Sequence, residues 1–241
     1  MKARVYYLAG FLYLAFSAVG YAELHGSMTA TSNYVSRAYS KSNDRFAFQG
    51  NLDYQHEKGA YLGTSISTVN FADTAFDNPA RVEIIPYLGW SFSLSDDWRM
   101  DLQWSRYLYD GNVFGKSSDY NEYYLFLHYR DLLSVNFSAS EDYYNRGQRA
   151  ENYEIIGRYP ITDYLQVSGA LGYMYTKKAV EDNYYYWNAG FTFFYKFATL
   201  DFRYVDAHEE EHHDEFATHD PYLMDLLLVE PSFLFTISLG F

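Results

Sequence analysis

Large apolar side chains occupy every second position in much of this chain, and the last segment shows the pattern most clearly. There the apolar positions are Phe233, Phe235, Ile237, Leu239 and Phe241. Because successive side chains of a β-strand point to opposite faces, these five groups share one face. Such a strand, ending on an aromatic residue, is typical of the closing strand of an outer-membrane barrel. The last strand of a soluble sandwich is the less favoured alternative.

The same alternation recurs along the chain and predicts about twelve strands. It is strong over 46–55, 82–92, 99–105, 133–140, 165–176 and 185–195, and weaker over 25–35, 61–71, 120–130, 151–159 and 199–206. Each segment is close to the roughly nine to eleven residues that a tilted strand needs to cross a bilayer. Pro86 falls inside a strand, and because proline cannot donate to the ladder we expect a β-bulge there.

Short and long connections between these segments alternate. Turn-like sequences occupy 57–59, 95–97, 130–131, 160–163 and the region around Ala198, and long polar stretches occupy 36–45, 72–81, 110–119, 143–150, 177–183 and 207–231. Short turns at one end and long loops at the other are typical of outer-membrane barrels. An open sheet edge would leave backbone polar groups unpaired in lipid. The predicted fold is therefore all-β, a closed transmembrane antiparallel up-and-down barrel.

Composition supports a membrane environment for this sheet. Aromatic residues make up 21% of the chain, with 28 Tyr and 19 Phe, yet the mean hydropathy is −0.34. Tyrosine and tryptophan are favoured at membrane interfaces. Beyond the N-terminal segment, the sequence has no stretch approaching the roughly 18 apolar residues of a spanning helix. Strands that alternate between lipid and lumen explain both facts.

The N-terminal segment has the layout of a secretory signal peptide. Lys2 and Arg4 precede an apolar stretch, and Gly20, Tyr21 and Ala22 form a small-x-small cleavage site. We expect residues 1–22 to be removed and residues 23–241 to form the barrel. Removing two of the 18 basic residues leaves 16 against 31 acidic residues, a net charge of −15. The chain has no Cys, which excludes a disulfide framework and thiolate metal sites.

The inward face of the predicted strands carries charges of both signs. The candidate lumen-lining residues are Asp53, Glu83, Arg99, Asp101, Glu122, His128, Glu154, Arg158, Asp201 and Arg203. Tyr87, Tyr124, Tyr186 and Phe194 share this face and would narrow the bore. The charges either neutralise one another or line a wet path. The acidic total weakly favours cations in such a path. It argues against a nucleic-acid partner, which needs a basic face.

Two local features suggest other chemistry. Residues 207–220 combine carboxylates with His208, His212, His213 and His219, which are ligand types for a cation such as Zn²⁺. His208 and His212 would share a face of a local helix, although a solvated loop is the plainer interpretation. For a Ser hydrolase the strands offer His25, His56 and His128 but no nucleophile-elbow sequence. We therefore expect neither catalysis nor a cofactor.

Several short motifs resemble a known family. They include residues 32–37, Gln49–Gly63, 83–89, 107–109, 121–124 and 154–160. Together they look like the TorF-type porins, Gram-negative outer-membrane proteins that are also labelled gcw_chp. Ala38 stands where that family commonly has Gly after Arg37. The resemblance implies a barrel with a channel-like role, and it carries no known solute or catalytic residues.

These observations predict a passive channel for small hydrophilic solutes in the outer membrane of a Gram-negative bacterium. The main alternative is a largely occluded barrel with a structural or adhesive role and a metal-capturing loop. A barrel hydrolase is the least favoured alternative. The expected partners are outer-membrane lipid and lipopolysaccharide, the solutes, and the barrel-assembly machinery, whose recognition signal the ending at Phe241 resembles.

Overall fold

The computed structural model describes residues 22–71, 77–176, 179, 183–210 and 228–241, which form a closed antiparallel barrel of twelve strands. The barrel strands are β1 (Ala22–Thr31), β2 (Ala47–His56), β3 (Ala60–Thr68), β4 (Val82–Ser93), β5 (Trp98–Tyr109), β6 (Tyr120–Tyr129), β7 (Leu133–Ser140), β8 (Ala150–Thr162), β9 (Leu165–Tyr175), β10 (Tyr184–Tyr195), β11 (Ala198–Glu209) and β12 (Ser232–Gly240). The predicted fold is confirmed. Among these residues no helix has the length and apolar character of a membrane span.

Closure of the barrel joins the first and last strands. Their register runs from Ser27 opposite Gly240 to Thr31 opposite Thr236. Gly26 and Phe241 continue this pairing by exchanging two backbone hydrogen bonds of 2.9 Å. A Cβ at Gly26 would meet the Phe241 ring, which is 78% exposed and would have to turn aside. Because each strand is then paired on both sides, the barrel has no open edge.

Alternate positions of the strands present large apolar side chains to the outside. Leu62 and Ile66 on β3 are 57% and 51% exposed, and Leu88 on β4 and Ile155 on β8 are 54% and 53% exposed. An apolar surface that continues around the whole barrel exceeds what a water-soluble monomer exposes. It fits the lipid-facing band of a membrane barrel.

Three details of the strands differ from the predictions. Pro86 causes no bulge: the register is the same at Ile84–Leu108 and Tyr87–Ser105, and only the pairs between them are missing. The ladder opens there because proline has no N–H. Strand β8 continues through the predicted turn to Thr162, with a register shift after Pro160. Strand β11 extends to Glu209, into the predicted last loop.

The long connections meet at one end of the barrel and pack together there. Their buried apolar residues include Ala38, Phe71, Phe114, Tyr144 and Val229, each from a different connection. A hydrophobic cluster therefore closes over this mouth, which the polar composition of the loops did not predict. The predicted signal peptide lies almost entirely outside the described residues, which begin at Ala22 with strand β1.

Candidate functional site

The ten predicted lumen candidates all lie at positions alternate to the exposed apolar ones, on the inner side of the barrel. Glu83 and Glu122 are buried beneath the long loops, at 0% and 2% exposure. The other eight lie in less buried surroundings towards the rest of the lumen. We define residues 32–46, the first long connection, as loop 1. It contacts both buried carboxylates.

Glu83 holds the side of loop 1. Its Oε2 accepts hydrogen bonds of 2.6 Å from the Lys41 ammonium and from the Tyr109 hydroxyl. Its Oε1 accepts a 2.8 Å bond from the Tyr34 hydroxyl. Lys41 is itself buried, at 3% exposure. A buried ion pair is stable only when its remaining hydrogen-bonding capacity is also satisfied, and three donors meet that need here.

Glu122 holds the tip of loop 1. Its Oε1 lies 2.7 Å from Arg37 Nη1 and accepts a 2.8 Å bond from Ser138, while its Oε2 accepts a 2.7 Å bond from Tyr124. Arg37 Nη2 also donates to Ser138 Oγ at 2.9 Å. Burial alone would lower the pKa of Arg37, but Glu122, together with nearby tyrosines, outweighs it and holds that pKa well above its usual range. The guanidinium therefore stays charged.

Loop 1 reaches this position as a tight hairpin. Val35–Ser36 pairs with Tyr39–Ser40, and the two residues between them, Arg37 and Ala38, are both left-handed, with φ of 52° and 57°. Two consecutive left-handed residues are the geometry of a type I′ turn. This conformation costs a non-glycine residue about 1–2 kcal/mol. A glycine at position 38 would avoid this cost.

Asn33 ties the base of the hairpin together. Its Oδ1 accepts hydrogen bonds of 2.7 and 2.9 Å from the Ser40 and Ser42 hydroxyls. Its Nδ2 donates a 2.6 Å bond to Asp44 Oδ1. The Tyr34 N–H donates to Ser42 Oγ at 2.8 Å. These bonds lie within loop 1, so the loop is a compact unit in its own right.

Tyrosine rings fill the space beside loop 1. Tyr120 stacks on Tyr107 with ring centroids 4.4 Å apart, and it meets Tyr143 and Tyr144 at 5.2 and 4.8 Å. Tyr144 is fully buried. Burial, together with neighbouring tyrosines and Glu83, raises the pKa of Tyr144 well above its usual value, so the hydroxyl is neutral. The rings and loop 1 together close the long-loop mouth.

The opposite, short-turn half of the lumen is more open and polar. A cavity of about 600 Å³ at that end is lined by residues including Gln55, Ser91, Ser93 and Arg99. Above it, Tyr61 and Tyr87 face inward with ring centroids 6.4 Å apart. Tyr61 donates to Gln103 Oε1 at 3.3 Å. The path from this end is polar but narrowed by tyrosines.

Most of the lumen charges are hydrogen-bonded to other inward-facing side chains. Arg203 Nη2 donates to Asp201 Oδ2 at 2.9 Å and to Ser168 Oγ at 2.9 Å. Glu154 accepts a 2.9 Å bond from Asn136 and a 3.1 Å bond from Tyr186. The ten candidates comprise six carboxylates, three arginines and one histidine, and loop 1 adds Arg37 and Lys41. Among these described groups the inner wall therefore carries six acids against five permanent cations.

His128 forms a pairing that sequence reasoning missed. Its Nδ1 lies 2.8 Å from Ser134 Oγ and its Nε2 lies 3.1 Å from Asp101 Oδ2. These three residue types form a catalytic triad when the Ser is accessible to substrate. Ser134 is only 1% exposed, and its Oγ also accepts a 2.8 Å bond from Arg158. The arrangement is therefore suited to holding the wall rather than to attacking a substrate.

The predicted metal-binding histidines are only partly described. His208 lies on strand β11 opposite Tyr185 and is exposed on the outer face. His212, His213 and His219 lie outside the described residues. No group of three or more metal-binding side chains is found in the described part of the chain. Because His208 is in a strand, it cannot share a helical face with His212. The metal site stays a prediction.

Comparison with known proteins gives one family and a fold. A family model described as a bacterial protein of unknown function, Gcw_chp, matches residues 16–239. The solved KdgM porin is similar to this chain with a TM-score of 0.53 and 8% identity, covering 91% of this chain and 98% of its own. A KdgM porin in complex with disordered oligogalacturonate has a TM-score of 0.52 and 9% identity, covering 90% and 96%. No curated protein matches the chain.

Proposed function

Because this chain belongs to the Gcw_chp family and folds as a closed barrel with an apolar outer surface, we propose that it is an outer-membrane channel protein. In this proposal small hydrophilic solutes cross by passive diffusion through the lumen. The observation that carries the proposal is the contrast between the two faces of the sheet. The outside is apolar, and the inside is lined by charged and polar side chains around a cavity that opens at the short-turn end.

The bore sets the size of the solutes in this proposal. Twelve strands lie between the filled barrels of about eight strands and the open channels of 16–18 strands. Tyr61 and Tyr87 narrow the path further. With loop 1 in place, the counted groups are close to charge balance, which gives little basis for selection by sign. The weak cation preference drawn from the acidic total remains an expectation, since salt screens charges in exposed loops.

One observation favours the alternative of a largely occluded barrel. Loop 1 and the tyrosines around Tyr144 fill the long-loop mouth, and their side chains are buried. A barrel closed in this way throughout its life would serve a structural or adhesive role. The two proposals differ in a single measurable property, the passage of ions.

Planar-bilayer recording of the purified protein tests the choice. We expect discrete current steps, and a heat-unfolded sample of the same preparation serves as the control. The reversal potential in a salt gradient then gives the preference for cations or anions. Absence of steps at every voltage, with the folded barrel present in the bilayer, would favour the occluded barrel. Ester hydrolysis that Ser134→Ala abolishes would instead favour the hydrolase.

A further inference from the structure

We propose that loop 1 (residues 32–46) is a movable plug of the long-loop mouth and that the Lys41–Glu83 and Arg37–Glu122 ion pairs are the two latches that hold it shut. This inference builds on the proposed channel function. The plug carries both cations, and the barrel wall carries both carboxylates. The two latches lie on separate strands, β4 and β6, so the loop is held at its side and at its tip.

Loop 1 can move as one body because its own hydrogen bonds hold it together. Asn33 accepts hydrogen bonds from Ser40 and Ser42 and donates one to Asp44, and all three residues belong to loop 1. The hairpin pairing of Val35–Ser36 with Tyr39–Ser40 is also internal. Leaving the wall would break the two latches and the hydrogen bonds of Tyr34 and Arg37 to the wall, while keeping these internal bonds. A discrete docked state and a discrete released state are therefore both accessible to the loop.

The barrel wall is prepared for either state. When loop 1 is absent, Glu83 keeps its hydrogen bond from Tyr109, and Glu122 keeps its bonds from Tyr124 and Ser138. Neither carboxylate would be left without a hydrogen-bond donor. At the same time Lys41 and Arg37 would regain the hydration that burial removed. Because the desolvation of an ion pair offsets much of its attraction, docking by such pairs is finely balanced. That balance is what a reversible plug requires.

Loop 1 also links the neighbouring loops. Tyr39 stacks on Phe71 with centroids 6.3 Å apart. The Val229 N–H donates to the Ala38 carbonyl at 2.8 Å, and the Asn70 N–H donates to the Lys41 carbonyl at 2.8 Å. Release of the plug would remove a shared partner from the second and the last long connections. The whole mouth would then loosen together.

Single-channel recording of latch variants tests the proposal. We expect Glu83→Gln/Glu122→Gln to raise the fraction of time in the open state by about tenfold or more, because each change leaves a buried cation uncompensated. Asp97→Asn is the matched control, because it breaks an ion pair of 2.8 Å with Arg130 at the short-turn end. It should behave as the wild type. Arg37→Gln/Lys41→Gln removes the same latches from the loop side if the wall variants fail to fold.

Cysteine labelling reports the position of the plug without relying on current. The chain has no Cys, so Ala38→Cys is the single target of a membrane-impermeant maleimide. Ala38 is 5% exposed and should label slowly in the wild-type background. In the Glu83→Gln/Glu122→Gln background its labelling should be about tenfold faster or more. An exposed control, Asp96→Cys, should label at the same rate in both backgrounds.

Together the two measurements separate this inference from the channel proposal. Faster labelling with more current supports both. Faster labelling without any current overturns the channel and, with it, the gating role of the plug. Unchanged labelling in latch variants that conduct as the wild type does overturns the plug and leaves the channel standing. The plug is also overturned, and the channel left standing, if the wild-type channel is always open and Ala38→Cys is labelled as fast as Asp96→Cys in the wild-type background.

Discussion

Gly172→Ala should destabilise the barrel by about 2–4 kcal/mol, although it adds a single methyl group. A Cβ at position 172 would lie closer than 2.5 Å to the Tyr186 ring, whereas ordinary contact begins at 3.4 Å. The ring would have to move by about 1 Å. Tyr186 is 2% exposed, and its hydroxyl donates to Asn152 at 2.8 Å and to Glu154 at 3.1 Å. It therefore has no free space to move into.

The magnitude combines two costs and one gain. Overpacking of a filled site costs about 1–3 kcal/mol. Displacing the hydroxyl of Tyr186 from its acceptors costs about 1–3 kcal/mol more. Replacing glycine by alanine in a strand returns roughly 0.5–1 kcal/mol of chain entropy. The middle of these ranges gives about 3 kcal/mol of net destabilisation.

Gly157→Ala is the matched control on the adjacent strand β8. Within the described part of the chain, no atom lies within 4 Å of a Cβ built there, so we expect stabilisation of about 0.5–1 kcal/mol. Urea unfolding in detergent, followed by tryptophan fluorescence, measures both variants. In a Tyr186→Ala background the cost of Gly172→Ala should largely disappear. A Gly172→Ala barrel as stable as the wild type would refute the assumption of a fixed Tyr186 ring.

Three further predictions concern loop 1 and the orientation of the strands. Ala38→Gly should relieve left-handed strain and slow hydrogen exchange of the loop 1 amides by about two- to fivefold, and faster exchange would contradict it. Of single cysteines at Leu102 and Gln103, we expect the first to react with lipid-soluble probes and the second with aqueous probes; the reverse would overturn the assigned faces. Burial, with Glu83 as a second cause for Tyr34, raises the pKa of Tyr34 and Tyr39 well above their usual value. Docking of loop 1 should therefore be fully stable below about pH 10 and weaken as the pH rises further. The reason is that these tyrosines ionise at a lower pH when the loop is released than when it is docked. The labelling rate of Ala38→Cys across this range would measure the loss of docking.

The strands and their faces could be predicted because each depends on a local, repeated pattern. Leu102, predicted to face lipid, is 45% exposed, and its neighbour Gln103 hydrogen-bonds inside the barrel. The alternation of side chains between the two faces of a strand does not depend on how the side chains pack. The bulge predicted at Pro86 was wrong because a strand can tolerate a missing N–H either by a bulge or by an opened ladder. The local sequence does not distinguish these outcomes.

The closed mouth could not be predicted because it depends on pairings between distant polar residues. Lys41 lies in a stretch whose composition indicates a solvated loop, and its partner Glu83 is 42 positions away. The His128 pairing likewise joins residues on three different strands. Charged side chains in a loop give no periodic signal that separates burial from exposure. Their partners emerge only once the barrel has brought the strands together.

The seam between β1 and β12 constrains how this protein can be made. The hydroxyls of Thr29 and Ser238 form a 2.8 Å hydrogen bond across the seam, although 209 positions separate the two residues. Bringing such distant segments together costs chain entropy on the order of 5 kcal/mol, and this cost must be met before the seam contributes anything. Until β12 has been synthesised, β1 has no partner on one side. The unpaired edge of the unfinished sheet can then pair with other chains and aggregate. During biogenesis, the two unpaired edges of the curved sheet must therefore be protected until the last strand pairs with the first.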